Sequence, residues 1–268
     1  MSTSMKVHIL DLGSMGSDFN ALVAMYTRAT AQDQSPTCKY VTFPVWGLYI
    51  EHPQAKIIFD TGLRADALEG GEPPEKLLNF PIYRTEEQSM EHQLELCGVK
   101  PEEIDYVILS HLHHDHSGRL DLFPNAKVVV QKTELINALY STHVVDPMGT
   151  YLRADLEYDH LKWMPIEGEY ELLEGIKLIP APGHVDGLQC MLLDLENTGA
   201  LLVTSDASYT SINWGPVPRP AGALADSKAY FATMAKLHQI ADETNATVIF
   251  GHDRAQFDSL KHAPEYYD

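Results

Sequence analysis

The sequence is short of cysteine: only Cys38, Cys97 and Cys190 occur in 268 residues, at wide and unrelated spacing. An odd number so placed excludes a disulfide framework and offers no thiolate metal site, so all three read as reduced structural thiols. Positive charge is scarce as well. Nineteen Lys and Arg stand against 38 Asp and Glu, giving a formal net charge of −19 at pH 7. A surface with that field repels phosphate backbones and anionic headgroups, which sets nucleic acid and membranes aside as partners. Part of the acid excess is expected to be local, since carboxylates that bind divalent cations are neutralised in the fold. No window approaches the roughly 18 consecutive apolar residues of a membrane span, and the opening MSTSMKVHIL carries no apolar stretch of the secretory type. A cytoplasmic protein is expected. With no low-complexity tract and 44% hydrophobic residues, the chain can bury one sizeable core, read here as a single domain over 1–268.

Short apolar runs recur between turn signals: KVHIL, FPVWGLYI, KIIF, YVIL, KVVVQ, GIKLIPA, CMLLDL, ALLVT and TVIF. Several are continuous rather than alternating, which fits strands covered on both faces. Helical spacing lies between them, with Met90, Leu94 and Cys97 on one face of 86–97, and Tyr230, Met234, Leu237, His238 and Ala241 on one face of 226–243. The strand-rich stretches fall into two blocks, 1–131 and 169–268, whose strands end in His or Asp. The arrangement predicts an α/β fold of two mixed sheets packed face to face with helices outside, and a site along their shared edge. The join, 132–168, is charged, aromatic and mixed in pattern, and is read as a helical excursion over that site.

The chemistry concentrates in Ser110-His111-Leu112-His113-His114-Asp115-His116-Ser117-Gly118, directly after the buried run YVIL. In extended backbone, residues two apart point the same way, so His111 and His113 can converge on one ion. As the chain turns, Asp115 and His116 are thrown toward a second position. Imidazole and carboxylate at this density suit zinc, iron, cobalt or manganese and not the oxygen-seeking calcium or magnesium. His114, at an x position of the H-x-H-x-D-H string, reads as solvent-facing or as a support to the ligands. Three more ligand candidates each follow an apolar strand: His184 in IPAPGHVDG, Asp206 in LLVTSDA and His252 in VIFGHD. Asp60, ending IIFDTG, is expected to accept a proton from a ligand histidine and fix its tautomer.

On these residues the chain resembles the metallo-β-lactamase superfamily and, within it, the N-acyl homoserine lactonases that open quorum-sensing lactones. HLHHDHSG, PGH at 182–184, SDASYT at 205–210 and GHD at 251–253 match that family in order and spacing, as do FPVWGLYIEHPQAKIIFDTG, KPEEIDYVILSHLHHDHSG and the closing APEYYD. HxHxDH marks only the superfamily, whereas D-x-x-Y, here Asp206 and Tyr209, is the lactonase feature. One departure stands in the PGHxxGH loop, where Leu188 replaces the second histidine. The resemblance implies the αββα sandwich. It also implies two metal ions, zinc first and iron or cobalt as alternatives, with His111, His113 and His184 on one, Asp115, His116 and His252 on the other, and Asp206 bridging. A homodimer is the expected assembly.

The mechanism implied is attack on the lactone carbonyl by hydroxide bridging two ions, whose water is acidified toward neutrality. Tyr209 would help bind the oxyanion as a neutral donor, and Asp115 would pass a proton to the departing alkoxide. An N-terminal loop with Met15, Phe19, Met25 and Tyr26, the strand residue Trp46, and the 141–164 stretch are the candidate groove for an acyl chain. Other tasks of such a fold compete. Thioester hydrolysis of the glyoxalase type calls for a basic patch that the C-terminal third lacks, and nucleic-acid processing conflicts with the charge. Bridging Asp206 speaks against β-lactams. Phosphotriester or aryl-ester hydrolysis stays open, because the same hydroxide attacks either centre. A metal-stabilised scaffold or redox sensor is the non-enzymatic alternative; diiron relatives usually place Glu where His113 stands.

Overall fold

The computed structural model describes residues 4–72, 74–144 and 149–268. Twelve strands form two mixed sheets among these residues. In the first, β1 (Lys6–Asp18), β2 (Tyr40–His52) and β3 (Ala55–Phe59) run antiparallel. The short β4 (Ile82–Tyr83) borders β1, while β5 (Tyr106–Ile108), β6 (Lys127–Gln131) and β7 (Lys162–Ile166) add in parallel, for the order β4-β1-β2-β3-β5-β6-β7. The second contains β8 (Tyr170–Leu173), β9 (Ile176–Pro180), β10 (Gln189–Leu195), β11 (Gly199–Val203) and β12 (Thr247–Ile249), in the order β12-β11-β10-β9-β8.

Strand alternation sorts the apolar side chains into three layers. Leu48 and Ile50 of β2, Ile57 and Phe59 of β3, Ile108 and Val129 face Leu178, Met191, Leu193, Leu201 and Val203 in the core between the sheets. The opposite face of the first sheet, with Tyr49, Ile58, Val107, Val128 and Val130, packs on Met90 and Leu94 of the helix Met90–Leu96 and Ala138 of the helix Lys132–His143. The opposite face of the second, with Ile179, Cys190 and Leu202, packs on Leu237 of the helix Ser227–Thr244. Each strand buried on both faces thus shows why its apolar run is continuous. This is the two-sheet sandwich with helices outside that the sequence predicts.

The boundary between the halves differs from the expected one. Within 132–168, helices cover Lys132–His143 and Arg153–Leu156, but Lys162–Ile166 is β7, hydrogen-bonded to β6 as an edge strand of the first sheet. Pro165 disguises it: a proline lacks the N–H of a central strand but is tolerated at an edge. Residues 145–148 of the excursion lie outside the described residues. The first sheet therefore closes at 166 and the second opens at 170. The stretch holding Met15, expected as a loop, continues β1 to Asp18 in register with β2 across a bulge.

Ile57 has no solvent exposure and lies in the layer between the sheets. Ile57→Ala should cost about 2–5 kcal/mol, read as a lowered urea midpoint of the metal-loaded protein; a loss below about 1 kcal/mol would show that the layer can collapse around the gap.

Candidate metal centre

Five loops meet at one edge of the sandwich. Asp60 follows β3, His111, His113, Asp115 and His116 follow β5, His184 follows β9, Asp206 follows β11 and His252 follows β12. The turns are tight. Asp60 and Ser205 take left-handed backbone, with φ of 55° and 45°, a conformation that costs a non-glycine residue about 1 kcal/mol or more and that clusters at functional sites. Gly118 ends the histidine segment where any side chain is barred, because a Cβ would lie 2.3 Å from Arg64 N.

These turns bring all seven candidate ligands together in two groups, His111, His113, His184 and Asp206, and Asp115, His116 and His252, with ligand atoms of each group within 4.8 Å of one another. Asp206 faces both. Its Oδ2 is 3.2 Å from His184 Nε2 and 3.6 Å from His111 Nε2, while its Oδ1 is 3.1 Å from His252 Nε2 and 3.4 Å from His116 Nε2. Asp115 Oδ2 lies 3.5 Å from His116 Nε2 and 3.8 Å from His252 Nε2, and His113 Nδ1 is 3.0 Å from His184 Nε2.

The outward nitrogens are fixed from behind. His116 Nδ1 is 2.8 Å from Asp60 Oδ2, and Asp60 also accepts from Ser110 N at 2.7 Å and Ser110 Oγ at 2.8 Å. Ser110 Oγ reaches His111 Nδ1 at 3.0 Å, and His252 Nδ1 meets the Pro44 carbonyl at 2.9 Å. Such contacts set tautomer and ring orientation, turning Nε2 inward. Trp46 belongs to this support: its indole N–H donates to the Gly251 carbonyl, one residue before His252.

The donor set fits divalent cations on two counts. His111 Nε2, His116 Nε2 and Asp206 Oδ1 are buried atoms with no hydrogen-bond partner among the described residues, a costly condition unless an ion satisfies them. The charges agree. Burial, joined by repulsion from neighbouring imidazoles, holds His111 and His113 well below the usual histidine range, so both are neutral donors. Burial would raise Asp206 and Asp115, but the surrounding histidines outweigh it and hold both carboxyls well below the carboxylate range. Against its own burial, His116 is pushed well up by Asp115, Asp206 and Asp60, and His252 is raised chiefly by Asp206. Five imidazoles and two carboxylates suit borderline transition metals.

Above the centre opens a cavity of about 970 Å³, lined by Met15, Leu22, Phe43, Phe80, Tyr151 and Tyr209 together with His113, Asp115, His184, Asp206 and His252. That volume is at the upper end for small-molecule sites, about 300–1,000 Å³. Of the five residues expected to form an acyl groove, Met15 lines this cavity and the others do not. Phe19 is buried against Tyr26, ring centroids 4.4 Å apart, Met25 and Tyr26 face solvent, and Trp46 lies behind the centre. The stretch Gly149–Tyr151 does reach the cavity. Sequence reading misses Leu22, Phe43 and Phe80 because only tertiary packing brings them there. Ser110 had a signal, its place before the first histidine. His114 is not solvent-facing: it is buried with Nδ1 3.0 Å from Glu72 Oε1, and it belongs to neither group of candidate ligands. Tyr209 is half-buried, with Oη 3.3 Å from His184 Nδ1 and its ring 5.0 Å from that of His252.

A two-sheet sandwich with paired histidine–aspartate groups at its edge is the architecture of a metallohydrolase class, and residues 41–252 match the family described as the metallo-beta-lactamase superfamily. The chain belongs to that superfamily. Within it the chain is 32% identical to the N-acyl homoserine lactonase AiiB of Agrobacterium fabrum, over 95% of this chain and 96% of that one. It is 32% identical to the N-acyl homoserine lactonase AiiA of Bacillus thuringiensis subsp. kurstaki, over 85% and 88%. Among solved structures it superposes on an N-acyl homoserine lactone hydrolase with the product N-hexanoyl-L-homoserine bound at its catalytic metal centre, with a TM-score of 0.84, 28% identity, and coverage of 99% of this chain and 100% of that one.

Two equivalents of divalent metal per chain are expected by elemental analysis. His114→Ala should retain both, and Asp206→Ala should lose metal; one equivalent lost in His114→Ala would overturn the grouping. Protons compete for the same nitrogens. Because His116 and His252 are raised, metal should be released progressively as pH falls through and below neutrality; an unchanged metal content from pH 8 down to 5 would contradict this.

Proposed function

We propose that this protein is a dimetal hydrolase that opens the lactone ring of N-acyl homoserine lactones. The observation that carries the reading is the Asp206 carboxylate, one oxygen toward each histidine group, on the floor of a cavity large enough for an acylated lactone. His111, His113 and His184 would hold one ion, Asp115, His116 and His252 the other, and Asp206 would bridge them. Zinc is the first choice for five imidazoles and two carboxylates, with iron or cobalt next. When bound, two such ions supply a water nucleophile at neutral pH and Lewis-acid polarisation of the scissile carbonyl.

The chain's own groups do the remainder. With His184 Nε2 turned inward, its Nδ1 lies 3.3 Å from Tyr209 Oη, which places the phenol beside the centre. In this reading Tyr209 donates its own proton to the developing oxyanion. Burial, reinforced by Asp206 and Asp115, raises the phenol well above its usual range, so it serves as a neutral donor across the physiological pH range. Asp115, ionised and facing the cavity, takes the proton from the attacking water at a carboxylate oxygen and returns it to the ring oxygen as the C–O bond breaks. The product is an N-acyl homoserine with a free hydroxyl, whose new carboxylic acid releases the remaining proton of the water to solvent and leaves as the carboxylate. Met15, Leu22, Phe43 and Phe80 offer the acyl tail an apolar wall. The lactone is the one partner this reading requires, with a homodimer as the expected assembly; the charge of −19 argues against nucleic acid and anionic membrane as partners. No helix among the described residues is long and apolar enough to cross a membrane, and a cytoplasmic site of action agrees with substrates that pass between cells.

Each buried methylene of the tail can contribute up to about 0.8 kcal/mol, so kcat/KM should rise from a bare γ-lactone to a six-carbon acyl homoserine lactone. Equal values would remove this substrate class. Tyr209→Phe should keep both metals and lose roughly 10-fold to 100-fold in kcat/KM on lactones, less than the loss of a sole oxyanion donor. An activated phosphotriester should suffer less. Wild-type lactone turnover in the loaded variant would make the tyrosine structural.

A further inference from the structure

Glu134 has no solvent exposure, and the chemistry above does not use it. It stands in the first turn of the helix Lys132–His143, where the helix N-terminus favours an anion. Its Oε1 accepts from Leu112 N at 2.9 Å and from Tyr151 Oη at 3.1 Å. Leu112 separates His111 from His113, and the Tyr151 ring is edge-on to His113 at 4.9 Å between centroids. Gly187, closing the loop that carries His184, lies flat on the same turn: a Cβ there would stand 2.3 Å from Glu134 N and 2.4 Å from Glu134 Cβ. Three chain segments bearing His111 and His113, His184, and the cavity-lining Tyr151 therefore meet on one residue.

A buried carboxylate is an expensive tie. Burial pushes Glu134 up to about 7, against the downward pull of the Leu112 amide, the Tyr151 hydroxyl and the Gly187 amide. An apolar residue could fill the same space without that cost but could not accept the two hydrogen bonds. What Glu134 supplies is an anchor: it fixes the Leu112 amide between the two histidines and the hydroxyl of Tyr151, whose ring lies against His113.

We infer that Glu134 is a positioning residue for the metal centre, aligning His111 and His113 through the Leu112 amide and bracing His113 through Tyr151. The inference rests on the proposed metal centre and not on the substrate. Removing a group that orients metal ligands typically costs about 10-fold to 100-fold in metal affinity. The effect here passes through backbone, so the lower end is expected.

The test is a titration of cobalt(II) into chelated protein against a competing chelator, with the visible ligand-field spectrum recorded. Glu134→Ala should weaken cobalt binding about 10-fold and shift the visible bands. Glu134→Gln, which keeps the acceptor for Leu112 and Tyr151, should restore most of both. A Glu134→Ala protein with lowered Tm but wild-type affinity and spectrum would make the residue structural only and overturn the inference. If Glu134→Ala does not fold, Glu134→Asp decides, since its shorter arm cannot reach both donors: an altered spectrum supports the inference and an unaltered one refutes it. A wild-type protein that takes up no cobalt would refute the metal centre itself, whereas failure on lactones with intact cobalt effects would refute only the substrate.

Discussion

The structure depends on one carboxylate placed where it has no right to be without cations. Asp206 is buried at 4% exposure, among four Nε2 atoms at 3.1–3.6 Å, two on each side. An isolated buried charge is several kcal/mol uphill even after relaxation, and one of its oxygens has no hydrogen-bond partner. Its surroundings are arranged to tolerate it. The imidazoles on either side are held by Ser110, Asp60, Pro44 and Tyr209 so that their nitrogens converge on it. A pair of cations shared across Asp206 would satisfy all of these atoms at once.

The sandwich exists, functionally, to bring these loops together. Strands β3 and β5 come from one sheet and β9, β11 and β12 from the other, so the site forms only when the core between the sheets has closed. That couples folding to metal binding, and it explains why the strained turns at Asp60 and Ser205 persist: they are over-determined by packing on both sides. The cavity above inherits its walls from Gly149–Tyr151, from β1 and β2, and from residues 222–225, which gives an apolar chamber over a polar floor.

Much of this is legible in the sequence because its signals are local. Continuous runs such as KVVVQ and CMLLDL became strands buried on both faces, and the ligand candidates lie in the short turns that follow strands. What was not legible depends on distant segments. β7 was hidden by Pro165 inside a charged stretch. Phe19 and Trp46 are apolar and near the site in sequence order, yet one packs on Tyr26 and the other supports Gly251, while Phe43 and Phe80 reach the cavity instead. Glu134 carried no mark at all: a glutamate in the first turn of a helix is ordinarily solvated, and only the fold reveals that two donors from elsewhere converge on it.

The central claim is that Asp206 joins two ions into one reactive unit. X-ray absorption on the zinc-loaded protein tests it most directly, because it measures the distance between scatterers irrespective of substrate. A metal–metal separation of about 3.5–4 Å, lost in Asp206→Asn, is the result this account predicts. Zinc surrounded by imidazole with no second metal within that range would contradict it.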